Sequence, residues 1–156
     1  MLDLDIPSYG RVVLKHLVLD YNGTIALDGE LDSALKVRLP TLAELVDVHL
    51  LTADTFGTVK SQMRSLPVKV EILSSRDHTL EKMEYLKALG AAECMAIGNG
   101  NNDSLMLEAA RIGVAVIAGE GCAAAAIRSA DIVCRSIMDA VELLLSPGRL
   151  KATLRR

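Results

Sequence analysis

Apolar runs of strand length alternate along this chain with stretches in which apolar residues return every three or four positions. The first pattern suits strands buried on both faces, and the second suits helices packed along one side. Strands are expected at Leu2–Ile6, Arg11–Leu14, His16–Leu19 ending on Asp20, Val48–Leu51, Val68–Leu73, Cys94–Ile97, Val114–Ile117 and Ile132–Cys134. Helical periodicity covers Ser33–Val46, Thr55–Ser65, Thr79–Leu89, Asn102–Ile112, Gly121–Ser129 and Ser136–Leu145. Such alternation predicts an α/β fold, a mainly parallel sheet with helices on both faces.

Local signals refine this outline. Pro7-Ser8-Tyr9-Gly10 turns the first two runs into an N-terminal hairpin, with its role open between oligomer contact, lid and sheet extension. Pro40 is expected to break the first helix or to mark its true start, because a proline inside a helix loses a backbone donor and crowds the preceding turn. Thr79 is the expected N-cap of its helix. Residues 146–156, with four basic side chains, read as a solvated tail. The chain is read as one domain over 1–156, with 1–14 as hairpin and 146–156 as tail.

Composition narrows the ligand class. The 156 residues are 51% hydrophobic and 24% charged, with 17 basic and 20 acidic side chains and a net charge of −3. No basic block precedes the tail, so nucleic acid and anionic membranes are not expected partners and small molecules are. Cys94, Cys122 and Cys134 lack CxxC spacing and lie in apolar stretches, as reduced thiols of a cytoplasmic protein do. No apolar run approaches membrane-spanning length, and the N-terminus carries acids where a secretion signal needs bases.

Ligands of parallel sheets sit beyond the carboxyl ends of the strands. Three such loops are unusual here: Asp20-Tyr21-Asn22-Gly23-Thr24, Thr52-Ala53-Asp54-Thr55 and Gly98-Asn99-Gly100-Asn101-Asn102-Asp103. Each alone is an ordinary turn or cap sequence. Jointly they bring carboxylates, amides and hydroxyls to one mouth, with glycines that let backbone N–H groups approach a phosphate. Asp20, Asn99 and Asp103 offer the oxygen donors that Mg²⁺ prefers. Thr52 could donate to a phosphate oxygen, and a lysine is needed to offset charge. Lys82 is the first candidate and Lys87 the reserve.

In this order the loops resemble the motifs of the haloacid dehalogenase superfamily: Asp-x-Asp-x-Thr, then Thr or Ser, then Lys, then Gly-Asp-x-x-x-Asp. Thr52-Ala53-Asp54 and Gly98-Asn99-Gly100-Asn101-Asn102-Asp103 are also similar to the Thr-Gly-Asp and Gly-Asp-Gly-x-Asn-Asp of the P-type ATPase phosphorylation domain. The resemblance implies a Rossmann-like sheet and an aspartyl-phosphate on Asp20, with Asn22, Thr52 and Lys82 completing the catalytic set. It implies Mg²⁺ held by Asp20, the Asn22 backbone carbonyl, Asn99 and Asp103, and phosphate contacts from Gly23, Thr24, Ala53, Gly100 and Asn102. Residues 21–51 and 53–81 are too short to hold a large cap domain, so a flap at Ile25–Leu31, or a neighbouring copy in a dimer or tetramer, would cover the site.

Two asparagines depart from the phosphatase pattern. Asn22 stands where an acid would protonate the leaving oxygen and later activate water, and an amide does neither at neutral pH. Loss of such a group typically lowers rates by ~10² to 10⁴. Asn99 keeps an oxygen for Mg²⁺ but no charge. The expected activity is a slow Mg²⁺-dependent phosphatase acting on a small phosphorylated substrate; the alternative is a catalytically impaired phospho-ligand-binding or regulatory module.

Overall fold

The computed structural model describes residues 1–54 and 58–156. Its centre is a six-stranded parallel sheet in the order β10-β9-β8-β3-β6-β7. Here β3 is His16–Asp20, β6 Asp47–Thr52, β7 Lys69–Ile72, β8 Cys94–Gly98, β9 Ile112–Val116 and β10 Ile132–Cys134. The chain runs outward from β3 through β6 to β7, then returns to the other side of β3 to lay down β8, β9 and β10. Strand order therefore reverses between β3 and β8, and the crevice that reversal opens lies at their carboxyl ends.

Because side chains alternate across a strand, the two faces carry different partners. Leu17, Leu19, Leu50, Met95, Ile97, Val114 and Val116 pack toward α1 (Ser33–Leu45), α2 (Thr58–Met63) and α6 (Ile137–Leu145). Val18, Leu51, Ala96 and Ala115 face α3 (His78–Leu89), α4 (Ser104–Ala109) and α5 (Ala124–Ser129). The continuous apolar runs in the sequence arise because both faces are covered.

The hairpin of β1 (Leu2–Ile6) and β2 (Gly10–Leu14) forms its own antiparallel sheet and does not extend the central one. Its inward residues Leu4, Ile6, Val12 and Leu14 are buried in the main core. Residues 146–156 are not a free tail. Pro147–Leu154 forms α7, which starts with proline in its first turn, buries Leu150 completely and packs on β1. Burial of an apolar stripe that the charged residues had masked decides this against solvation.

Other boundaries shift for local reasons. Pro40 neither breaks α1 nor starts it; it lies on the exposed face, where water can serve the carbonyl freed by the missing donor. The cap of α3 is Asp77, whose carboxylate accepts from the N–H of Thr79 and of Leu80, in place of Thr79 itself. The expected helix at 102–112 is a short 3₁₀ turn (Asn101–Asp103) followed by α4, and it ends at Ala109 because Ile112 and Val114 pair into the sheet interior. Gly121–Cys122–Ala123 stays irregular, and α5 begins at Ala124. The expected helix at Thr55–Ser65 lies partly outside the described residues, which show Thr58–Met63. Cys94 and Cys134 are buried and Cys122 half-buried, all as free thiols. Among the described residues no helix is long and apolar enough to cross a membrane.

Candidate functional site

Asp20 ends β3 and is 7% exposed, so its carboxylate must find partners inside the protein. Lys82 Nζ donates to Asp20 Oδ1 at 2.5 Å and to Asp103 Oδ1 at 2.7 Å. Lys82 lies one turn into α3, which runs back across this face of the sheet, and is itself 2% exposed. Thr24 Oγ1 lies 2.9 Å from the other Asp20 oxygen and 3.1 Å from Asn99 Oδ1. Asp103 is fully buried, and its Oδ2 accepts from the backbone N–H groups of Asn99 (3.0 Å) and Gly100 (2.8 Å). Lys87, the reserve lysine, is exposed on the outer side of α3.

The loops close tightly around these groups. A Cβ on Gly98 would come within 2.6 Å of the Asp103 carboxyl carbon, so only glycine lets that side chain fold back onto its own loop. Gly23, at φ +76°, combines a left-handed backbone with an approach that would put a Cβ 2.4 Å from Asn99 Nδ2. Asn99 is held by donation from Nδ2 to the Gly121 carbonyl at 3.1 Å, which turns its Oδ1 toward Thr24 and Asp20.

Burial and charge act against each other on Asp20. Desolvation pushes its pKa up, the Asp103 charge pushes the same way, and Lys82 with Thr24 opposes both; the outcome is about 6. Lys82 is driven upward because the two carboxylates outweigh its own desolvation. Two carboxylates against one ammonium leave a negative balance at the mouth. Thr24 has one hydroxyl proton for two acceptor oxygens, Asp20 Oδ2 and Asn99 Oδ1. A hard cation beside this oxygen-rich pair would serve both, so the residues present fit Mg²⁺.

A cavity of about 240 Å³ opens above Asp20, lined by Asn22, Thr52, Ala53, Lys82, Asn99, Gly100 and Asn102 among others. Asp103, Gly23 and Thr24 do not line it; Asp103 and Thr24 hold the floor from behind. Asp54 faces an adjoining cavity of about 540 Å³ and accepts from the Val59 N–H instead. That second cavity is roofed by the hairpin of β4 (Ala26–Leu27) and β5 (Glu30–Leu31), whose turn residues Asp28 and Gly29 both have positive φ. Tyr21 and Gln62 bond the Gly29 carbonyl, and Glu120 accepts from the Asp28 N–H at 3.1 Å.

Two lining residues escaped the sequence reading. His78 precedes Lys82 by four positions, so both share one face of α3 and reach the same cavity. Glu120 lies in the loop after β9, another carboxyl end of a strand, and lines both cavities. The helix spacing and the strand-end rule were the available signals for them.

The model of the haloacid dehalogenase-like hydrolase family matches residues 52–139, more than half of this chain, and the chain belongs to that family. An uncharacterised protein of Methanocaldococcus jannaschii is 54% identical over 61 residues, 39% of this chain and just under two thirds (66%) of that relative's length. The fold is similar to that of the cobalt-bound deoxy-D-mannose-octulosonate 8-phosphate phosphatase from Haemophilus influenzae, with a TM-score of 0.72 and 14% identity over 92% of this chain and 94% of that one. It is also similar to the Moraxella catarrhalis 3-deoxy-D-manno-octulosonate 8-phosphate phosphatase in complex with magnesium, phosphate and the sugar acid. There the TM-score is 0.64 and identity 18%, over 85% of this chain and 86% of that one.

Proposed function

We propose that this protein is a slow Mg²⁺-dependent phosphatase in which Asp20 is the nucleophile. The observation that carries the reading is Lys82, buried between the carboxylates of Asp20 and Asp103 under a cavity that also exposes Thr52 and Asn99. An ammonium so placed offsets the repulsion between a carboxylate and an incoming phosphoryl group. Bound Mg²⁺ would neutralise phosphoryl oxygens, with Asp20, the Asn22 carbonyl and Asn99 as its protein ligands. Asp103, expected as a fourth ligand, does not line the cavity, and its oxygens face Lys82 and backbone N–H groups, so its role is to position Lys82 and the Asn99–Gly100 backbone.

An Asp20 oxygen attacks phosphorus and the bond to the leaving oxygen breaks, giving an aspartyl-phosphate and an anion that takes its proton from solvent. Water then attacks the phosphorus, releasing phosphate and restoring the Asp20 carboxylate. The Thr52 hydroxyl accepts from the Asp54 N–H at 3.2 Å, which turns its own proton toward a ligand oxygen. Asn22 neither gives nor takes a proton in these steps, so substrates with good leaving groups, such as aryl or acyl phosphates, are favoured. The 240 Å³ cavity suits a phosphoryl group with a small organic part that extends beneath the β4–β5 flap.

Phosphate release from an aryl phosphate in Mg²⁺ tests the reading. Asp20→Ala abolishes it, and Asn22→Asp raises it by roughly 10² to 10⁴. Equal release from wild type and Asp20→Ala would reject the enzyme. The two asparagines also favour a second reading, a phospho-ligand-binding module without turnover. Under it, beryllium fluoride with Mg²⁺ raises Tm while no phosphate is released.

A further inference from the structure

At the opposite, amino ends of the strands, three side chains with nitrogen and oxygen donors meet on one face. The β3–β6 register pairs His16 with Asp47, and His49, two residues on, points the same way. His16 Nδ1 and His49 Nε2 are 3.2 Å apart, and His16 Nδ1 is 3.9 Å from Asp47 Oδ2. One donor atom from each of the three lies within 4.8 Å of the others. Two nitrogens bound at about 2.0–2.1 Å to one tetrahedral ion are separated by roughly 3.3 Å. The imidazole pair already has that spacing, and a small swing of the exposed Asp47 would complete three ligands.

The surroundings favour this use. His49 Nδ1 lies 2.9 Å from the Tyr85 hydroxyl on α3. When that nitrogen donates, the tautomer is fixed and the Nε2 lone pair is presented to His16, as outer partners of metal-bound histidines do. The proton between the rings then belongs to His16 Nδ1. An ion takes its place when His16 changes to its Nε2–H tautomer, with no net proton loss from either ring. A fourth ligand, water, has access from the shallow surface cleft of about 310 Å³ lined by His16, Asp47 and Glu44. Lys69, 2.8 Å from the same Asp47 Oδ2, competes for that oxygen, and the swing that completes the site exchanges this exposed ion pair for the metal.

We propose that His16, His49 and Asp47 form a site for a late first-row divalent ion of the Zn²⁺ type, joining β3 to β6 at the strand ends remote from Asp20. Two imidazoles at near-tetrahedral spacing, with a carboxylate beside them, suit Zn²⁺ or Co²⁺ rather than Mg²⁺. The site is separate from the proposed Mg²⁺ site and does not depend on the phosphatase reading.

The test uses the full chain in saturating MgCl₂, which occupies the Asp20 cavity. ZnCl₂ titration followed by equilibrium dialysis is expected to give about one Zn²⁺ per chain and a rise in Tm; CoCl₂ is expected to give the intense visible bands of tetrahedral coordination. His16→Gln, which keeps a polar partner for His49, abolishes the bands and the Tm rise, and Asp47→Asn weakens both. Asp20→Asn leaves them unchanged. Zn²⁺ binding that survives His16→Gln, or that disappears with Asp20→Asn, overturns the proposal. So does a wild-type protein that takes up no Zn²⁺ and shows no tetrahedral Co²⁺ spectrum. Circular dichroism of His16→Gln separates lost binding from lost folding; should it fail to fold, Asp47→Asn, on an exposed side chain, carries the test.

Discussion

His16 and Asp20 stand at opposite ends of the same five-residue strand, on the same face, yet the two ends handle polarity in contrary ways. At the carboxyl end, Asp20 is kept inside by an ammonium and a hydroxyl, and the ammonium is shared with a second carboxylate held by backbone N–H groups. At the amino end, His49 is buried against another imidazole and a tyrosine, while the formal charges of Asp47 and Lys69 stay exposed. Burial moves both titrating groups toward their neutral forms. It raises Asp20 to about 6, helped by Asp103, and lowers His49 to about 4, helped by Lys69. Among the described residues, the carboxyl end has Gly98 and Gly100 in the loop whose backbone N–H groups hold Asp103, beside the strand-order reversal. A charge can therefore be stationed there that the amino end could not hold.

The largest effect expected is from Lys82→Met, which keeps length but leaves two buried carboxylates facing each other. Breaking such a pair costs about 3–5 kcal/mol, so urea unfolding of the metal-free protein above pH 7 should show a loss of that size. A change below about 1 kcal/mol would mean the ammonium is not what holds Asp20 in place.

Next come two opposed pH dependences. Asp20 has a folded pKa above its unfolded value of 3.8, so its contribution to stability is full below that value and is lost as pH rises through about 6. Asp20→Asn should therefore gain on metal-free wild type by on the order of 2–3 kcal/mol between pH 4 and 7. His49 has the reverse sign. Its folded pKa lies below the unfolded 6.5, so its contribution is full above 6.5 and falls as pH drops toward 4. Wild type should lose about 2 kcal/mol between pH 7 and 5 through this group, and His49→Gln should remove that slope. Equal slopes in wild type and variant, measured by urea titration at each pH, would refute the assignment.

The smallest effect is Lys69→Ala. Its ion pair with Asp47 is exposed on both sides, and such pairs contribute about 0–1 kcal/mol. A loss above about 2 kcal/mol, by the same urea titration, would show that the amino end depends on charge after all.

Much of this architecture is legible in the chain before folding. The apolar run ending on Asp20, the glycine-rich segment at 98–103 and the alternation of periods mark the strands and the loops beyond them, because those signals are local. The choice between Lys82 and Lys87 is not local: both lie on one helix, and only the way α3 lies on the sheet turns the first inward. The same holds for Asp103, whose carboxylate folds back to its own backbone and to Lys82. Nothing in the spacing of His16, Asp47 and His49 indicates that they meet. Their proximity follows from parallel register, which is fixed by long-range packing between segments some thirty residues apart. Pro40 and Leu150 teach the same lesson, since whether a proline is tolerated or a basic segment is buried depends on which side faces water. Sequence by itself determined the elements and the strand-end chemistry, since periodicity and turn residues act over a few positions; tertiary structure decided which side chains became neighbours, since burial and register are properties of the assembled sheet.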